Sequence, residues 1–192
     1  MKVSITAGSA LLIVDLQNDF CEGGALPVPG CSSVVTTVNK YIDMFTKHRA
    51  LILASRDWHP PNHISFKARG GPWPPHCIQG SKGAEFHPGL ALPSNAIVVS
   101  KAYLPDREAY SAFDGTELHY VLSMNSVRRL FVAGVATEYC VKASVLDALK
   151  LGYEVFLLTD AIAGVSEEGS REALSEMLSS GAVLLTMEDI AG

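Results

Sequence analysis

The sequence lacks the features of membrane, secreted and nucleic-acid-binding proteins. None of its apolar runs approaches the roughly 18 residues that a membrane span needs. The apolar run at 10–14 is too short for a signal peptide, and Asp15 interrupts it. Lys and Arg number 15 against 20 Asp and Glu, and this net charge of −5 argues against a basic face for nucleic acid. We therefore expect a cytoplasmic protein with neither a membrane nor a nucleic-acid partner.

Cysteine is also scarce, and its spacing does not suggest cross-links. The chain has four cysteines, Cys21, Cys31, Cys77 and Cys140, and no CxxC pair. Without a secretory context, this pattern predicts reduced thiols rather than a disulfide framework. Cys21, Cys31 and Cys77 are interpreted as buried structural residues.

Short apolar runs alternate with longer amphipathic segments. The predicted strands lie at 10–14, 51–54, 96–100, 130–133, 155–158 and 183–185. The predicted helices lie at 32–47, 116–125, 138–151 and 168–180, and Gly152 is placed to end the third. Continuous apolar strands between helices are typical of a mostly parallel sheet covered on both faces. We expect one α/β domain over residues 1–192, with three layers (α/β/α) and about six strands.

One long segment interrupts this alternation. Residues 57–93 have little apolar periodicity, many prolines and four histidines, His59, His63, His76 and His87. An irregular segment of this length is usually functional in a compact domain. Because it follows a predicted strand, it should lie at the strand carboxyl ends, where open α/β sheets bind ligands.

Polar or special residues follow four successive predicted strands. Asp15 comes after the first, Arg56 and Asp57 after the second, Lys101 after the third and Gly134 after the fourth. In a parallel sheet these positions share one edge, so we expect the residues to converge on one site.

The set Asp57, His59 and His76 is suited to a metal ion. A carboxylate and an imidazole two residues apart can converge in extended chain, and His76 could complete a set with open positions. Two imidazoles and one carboxylate suit Zn²⁺, Fe²⁺ or Mn²⁺. A solvated histidine-rich loop is the alternative, and the role of His63 stays open.

Cys140 has the context of a nucleophile. It follows a predicted strand at a predicted helix start, with Thr137 as the expected N-cap, where the helix dipole would lower the thiol pKa. Exposed amides at this turn could bind an oxyanion. Asp15 and Lys101 are the candidate base and cation. A buried structural cysteine, a capping aspartate and a surface lysine are the alternatives.

Several ordered blocks resemble the isochorismatase-like cysteine hydrolase family, and within it the nicotinamidase/pyrazinamidase members. The blocks are DLQNDFCEGG from Asp15, RDWHPPNHISF from Arg56, GPWPPHC from Gly71, GAEF from Gly83, Lys101, YSAF from Tyr110 and GVATEYC from Gly134. The resemblance covers nearly the whole chain. It implies hydrolysis of nicotinamide to nicotinate and ammonia through a cysteine thioester, in NAD salvage.

The resemblance also implies roles for individual residues. The implied catalytic triad is Asp15, Lys101 and Cys140, and the implied metal ligands are Asp57, His59 and His76. The implied substrate-binding residues are Phe20, Trp73, Val135 and Ala136. The implied cofactor is a divalent metal, Zn²⁺ before Fe²⁺ or Mn²⁺, with His63 and Ser65 unassigned as a fourth contact. Further implications are a cis peptide at Val135–Ala136, an oxyanion hole from the amides of Ala136 and Cys140, and sheet order 3-2-1-4-5-6.

Three other functions fit part of the sequence. A related amidase acting on N-carbamoylsarcosine or a ureido acid would not need a metal-bound pyridine. An Fe²⁺ oxygenase would use the same ligand set, but the α/β pattern and the context of Cys140 disfavour it. A non-enzymatic α/β module is the third. The expected partner is a small-molecule amide, and a homo-oligomer that uses the apolar residues 182–185 stays open against core packing.

Overall fold

The structure is a computed structural model that describes residues 2–191. Its strands are β1 (Val3–Ser4), β2 (Ser9–Val14), β3 (Leu51–Asp57), β4 (Ile97–Lys101), β5 (Arg129–Val135), β6 (Glu154–Ala163), β7 (Val183–Leu185) and β8 (Ile190–Ala191). Its α-helices are α1 (Cys31–Lys47), α2 (Leu118–Met124), α3 (Lys142–Lys150) and α4 (Glu167–Ser179). Each predicted helix and strand has a counterpart, but β6 extends five residues beyond its predicted end and α3 begins four residues after its predicted start.

Six of the strands form one parallel sheet in the order β4-β3-β2-β5-β6-β7. Numbered from β2 as the first strand, this order is 3-2-1-4-5-6, which is the one that the resemblance implies. The predicted α/β class is confirmed. The short strands β1 and β8 pair with each other in a separate parallel ribbon. Strands β3 and β4 are added on one side of β2, whereas β5, β6 and β7 are added on the other. The crevice between β2 and β5 is therefore the topological switch point, where ligands bind in such folds.

The central strand β2 explains why the sheet is covered on both faces. All six of its residues are buried, because successive side chains point to opposite faces and both faces carry helices. Leu11 and Ile13 join a core cluster with α1, whereas Leu12 and Val14 join a second cluster on the other face. Helix α1 contributes Tyr41 and Phe45, both fully buried, to the first cluster.

Gly134 on β5 allows the two central strands to approach closely at the functional edge. It pairs in register with Val14 of β2 and has φ of 121°. A Cβ atom at this position would lie 2.1 Å from the carbonyl oxygen of Val14. Any side chain here would push the strands apart, so glycine is required by both space and conformation.

The prediction of reduced thiols is wrong for two of the four cysteines. Cys21 and Cys31 form a disulfide, with their Cα atoms 4.9 Å apart, whereas Cys77 and Cys140 are free and buried. The segment before α1 folds back on itself and brings the start of the helix to Cys21. Sequence spacing does not report this approach, which depends on the path of the loop.

The irregular segment between β3 and β4 covers the carboxyl edge of the sheet, as expected. It contains two short 3-10 turns, Lys67–Arg69 and Lys82–Ala84. The amide of His59 donates to the carbonyl of Cys77 at 3.0 Å, which joins its two histidine-bearing parts. Among residues 2–191, no helix has both the length and the apolar character needed to cross a membrane.

Candidate active site

Parallel strands deliver three charged side chains to one point. Asp15 directly follows β2, Asp57 ends β3 and Lys101 ends β4. Asp57 and Lys101 are direct partners in the ladder between their strands, and Asp15 has a left-handed conformation with φ of 50°. The predicted convergence at the carboxyl edge is therefore present.

The ammonium group of Lys101 is the centre of this arrangement. Its Nζ lies 3.0 Å from Asp15 Oδ2 and 2.5 Å from Asp57 Oδ1, and it contacts Cys140 Sγ at 3.3 Å. Lys101 and Asp15 are fully buried. Ser55, for which the sequence gives no indication of a role, donates its hydroxyl to Asp15 Oδ1 at 2.7 Å. The site is thus a buried cluster of two carboxylates around one cation, with the thiol beside it.

Burial and charge shift the pKa values of these groups in different directions. Burial raises the pKa of Asp15, and Lys101 only partly opposes this shift. Burial lowers the pKa of Lys101, but the carboxylates of Asp15 and Asp57 outweigh it and hold that pKa well above its usual value. Burial raises the pKa of the Cys140 thiol well above its usual value, with Lys101 acting in the opposite sense. The expected lowering of the Cys140 pKa by the helix start is therefore wrong, because burial of the thiol outweighs the neighbouring positive charge.

The turn that bears Cys140 differs from the predicted helix start. Residues Thr137–Val141 form a single π-helical turn, and α3 begins only at Lys142. The predicted N-cap role of Thr137 is wrong, because Thr137 lies inside this turn rather than before it. The peptide bond Val135–Ala136 is cis, as the resemblance implies.

The predicted metal ligands also meet. Asp57, His59 and His76 are buried, and their ligand atoms all lie within 4.8 Å of one another. Asp57 Oδ2 is 3.3 Å from His59 Nε2 and 3.9 Å from His76 Nε2. Tetrahedral ligands at about 2.1 Å from a zinc ion would be roughly 3.4 Å apart, so this donor set fits a divalent ion.

Backbone carbonyls hold both histidines in the orientation that a metal requires. His59 Nδ1 contacts the carbonyl of Ala102 at 3.1 Å, and His76 Nδ1 contacts that of Pro74 at 2.8 Å. Each ring therefore presents Nε2 to the cluster, which is the usual role of such outer contacts.

His63 lies behind the cluster. Its ring stacks on that of His59, with centroids 4.2 Å apart. Its Nδ1 contacts Ser65 Oγ at 2.7 Å and its Nε2 contacts the carbonyl of Arg107 at 3.0 Å. Both ring nitrogens thus contact protein groups rather than the three-residue cluster.

An apolar cavity of about 500 Å³, including its part open to solvent, leads to both sets of residues. Its lining includes Asp57, His76 and Cys140, and also the predicted pocket residues Phe20, Trp73 and Ala136. Val135 instead has a fully buried side chain that packs in the core.

Other lining residues were not assigned a role from sequence, and these are Leu26, Pro27, Val28, Tyr110, Tyr139 and Val165. Trp73 Nε1 donates to Tyr110 Oη at 3.0 Å, and Trp73 packs edge-on to Tyr139 at 5.1 Å. Tyr110 and Tyr139 lie inside blocks that carry the resemblance, so their position in those blocks was an available indication. Leu26, Pro27, Val28 and Val165 give no comparable indication, because apolar loop residues are common.

Comparisons with known proteins agree with this geometry. The chain matches the Isochorismatase domain over residues 9–189. It is 42% identical to a nicotinamidase of Escherichia coli, and the match covers 94% of this chain and 95% of that one. The crystal structure of the pyrazinamidase of Pyrococcus horikoshii in complex with zinc is 53% identical, with a TM-score of 0.92, and the match covers 94% of this chain and 99% of that one.

A second solved structure, PnC1 from L. infantum in complex with nicotinate, is 36% identical with a TM-score of 0.93. That match covers 100% of this chain and 99% of the other. These similarities extend over almost the full length of each protein and include both the sheet and its carboxyl edge. The chain belongs to the isochorismatase family.

Proposed function

We propose that this protein hydrolyses nicotinamide to nicotinate and ammonia through a thioester on Cys140, as a step of NAD salvage. The contact of Lys101 with Asp15, Asp57 and Cys140 carries the proposal, because it joins a nucleophile set to a metal-ligand set at one apolar cavity. The nicotinamidase and pyrazinamidase relatives support this substrate over a carbamoyl or ureido compound.

Asp15 is the base in this mechanism. Its raised pKa makes it a stronger base than an exposed carboxylate, and it lies within 4.8 Å of Cys140 Sγ. As Sγ attacks the carboxamide carbon, Asp15 takes the thiol proton and Lys101 stabilises the developing thiolate. The amides of Ala136 and Cys140 stabilise the oxyanion that forms on the carbonyl oxygen.

The same carboxyl group completes both halves of the reaction. When the C–N bond breaks, Asp15 gives its proton to the departing nitrogen. Ammonia leaves, and the acyl group stays on Cys140 as a thioester. Asp15 then takes a proton from a water molecule that attacks the thioester carbonyl. The proton on Asp15 returns to Sγ to restore the thiol, and the carboxylic acid product gives its own proton to solvent and leaves as nicotinate.

Asp57, His59 and His76 would hold a divalent ion, and we propose Zn²⁺ over Fe²⁺ or Mn²⁺. Two imidazoles and one carboxylate form a catalytic zinc set, and the Pyrococcus horikoshii relative is described with zinc. When bound, the ion would supply an open Lewis-acid position suited to a pyridine nitrogen. Phe20 and Trp73 supply aromatic walls that exclude water and orient a planar ring.

The test is ammonia release from nicotinamide, benzamide and N-carbamoylsarcosine, before and after chelation. We expect chelator-sensitive release from nicotinamide, and little from benzamide, which has no ring nitrogen. Cys140→Ala should lower kcat by about a thousandfold or more, whereas Cys77→Ala, which removes the other buried free thiol, should retain activity. Substantial turnover by Cys140→Ala would refute the mechanism. Release from the carbamoyl compound that is indifferent to chelation would establish the alternative amidase.

Organisation as one domain over residues 1–192 and a cytoplasmic location remain predictions from the sequence, and assembly into a homo-oligomer stays open.

A further inference from the structure

The side chain of Gln17 is fully buried beside the functional edge, and all of its polar atoms are used. Its Nε2 donates to the carbonyl of Asp57 at 2.8 Å and to that of Ala84 at 2.9 Å. Its Oε1 accepts from the amide of Asp57 at 2.8 Å. One side-chain amide therefore binds both backbone polar groups of Asp57.

This contact replaces a missing part of the β-sheet. The amide of Asp15 donates to the carbonyl of Ser55 at 3.2 Å, so a continued parallel ladder would next join the amide of Asp57 to the carbonyl of Asp15. Asp15 instead turns to φ of 50°, and its carbonyl accepts from the amide of Gln17 at 2.8 Å. The amide of Asp57 thus loses its ladder partner, and the Gln17 side chain supplies the acceptor.

The turn at Asp15 takes this residue out of the β-ladder. Its Oδ2 can then lie 3.0 Å from Lys101 Nζ, as the site requires. Without a substitute partner, the amide of Asp57 would be buried and unpaired, which proteins rarely tolerate. Asp57 is also the residue shared by the two halves of the site. Its Oδ1 contacts Lys101 Nζ at 2.5 Å and its Oδ2 lies 3.3 Å from His59 Nε2. A small shift of its backbone would disturb both contacts at once.

The hydrogen bond from Gln17 Nε2 to the carbonyl of Ala84 connects the site to the loop at 82–87. The backbone supports this link, since the amide of Asn18 donates to the carbonyl of Glu85 and the amide of His87 to that of Leu16, each at 2.9 Å. Gln17 is therefore itself held in place from both sides. The backbone bonds of Asn18 and His87 hold this segment independently of the contacts between Gln17 and Asp57.

We propose that Gln17 is a positioning residue that fixes Asp57 before a metal ion binds, and that it thereby sets both metal affinity and the placement of Lys101. The inference rests on the proposed function for its catalytic consequence, but not for its effect on metal binding. Gln17 belongs to the first sequence block and has no part in the triad or the metal-ligand set.

The test compares Gln17→Glu and Gln17→Met with a matched control, Asn39→Asp. Asn39 makes the same kind of contact elsewhere: Nδ2 donates to the carbonyl of Gly89 and Oδ1 accepts from the amide of Ala91, both at 2.8 Å. Zinc affinity is measured by competition with a chromophoric chelator, together with Tm, kcat and KM. We expect both Gln17 variants to bind zinc about 10- to 100-fold more weakly, with kcat reduced, which is typical of lost outer contacts to metal ligands. Asn39→Asp should keep zinc affinity within about twofold, whatever its effect on Tm.

Wild-type zinc affinity in folded Gln17 variants, or an equal loss in Asn39→Asp, would overturn the proposal. Should the Gln17 variants fail to fold, amide hydrogen exchange of the unaltered protein decides. The amide of Asp57 should exchange slowly with and without zinc, and rapid exchange in the zinc-free protein would refute positioning in advance of the metal. A wild-type protein inert towards nicotinamide would remove the proposed function but leave the zinc comparison valid.

Discussion

Replacing Lys101 with methionine should destabilise the protein more than almost any single change at its surface. The substitution keeps an unbranched side chain of similar length but removes the ammonium group between Asp15 and Asp57. Lys101 and Asp15 are fully buried, and the Asp57 side chain is 7% exposed. Two buried carboxylates would then remain without their common cation.

The expected cost is about 3–5 kcal/mol in the free energy of unfolding, the usual result of removing one partner from a buried ion pair. For a domain of this size, about 2–4 °C is lost per kcal/mol, so Tm should fall by roughly 6–20 °C. Lys142→Met is the matched control, because Lys142 Nζ also lies 3.0 Å from a carboxylate, that of Glu176. That pair is exposed to solvent, and its loss should cost less than about 1 kcal/mol.

The assay is urea denaturation of both variants and the wild type, with a chelator present so that metal binding does not add to stability. If Lys101→Met remained within about 1 kcal/mol of the wild type, Lys101 would not be compensating two buried charges. A cost for Lys142→Met equal to that for Lys101→Met would also refute the reasoning, because burial would then not matter.

Three further outcomes are expected. His59→Ala should lose stoichiometric zinc, measured by metal analysis after dialysis, with an unchanged far-UV circular dichroism spectrum; retention of one zinc per chain would contradict the ligand assignment. The Ser32 hydroxyl helps to hold the pKa of Glu22 below its usual 4.5, so the stabilisation that ionised Glu22 contributes is complete above that pH and is lost as the pH falls through the lowered pKa. Glu22→Gln should therefore flatten the acid limb of a curve of stability against pH, and an unaltered limb would count against this role. Because Cys21 and Cys31 are paired, thiol titration of the denatured, unreduced protein should find two thiols, rising to four after reduction; four at the outset would exclude the disulfide.

The strands were predictable because burial on both faces leaves a direct trace in sequence. A strand such as β2 is apolar at every position after Ser9, since its side chains enter two cores, and this produces the run at 10–14. The convergence of Asp15, Asp57 and Lys101 follows from the same reasoning, because the residues that end parallel strands meet at one edge. The resemblance then supplied the assignment of His59 and His76, which the loop sequence alone left open against a solvated loop.

Errors arose where the outcome depended on the path of the chain. The pairing of Cys21 with Cys31 depends on how the segment before α1 folds back, and spacing does not encode that path. The thiol pKa of Cys140 was predicted from a helix start, but burial dominates it, and burial is a property of the assembled site.

Local periodicity and chain order were enough to predict the α/β class, the six strands of the main sheet and candidate charged residues at one edge of that sheet. The residues that carry the resemblance extended this to the sheet order, the triad and the metal ligands. Three features became visible only in the folded protein: Lys101 lies between two buried carboxylates, His63 packs behind His59, and the Gln17 side chain replaces the strand partner of Asp57. Each of these depends on distances between residues far apart in the chain, and those distances are fixed by packing rather than by any local pattern.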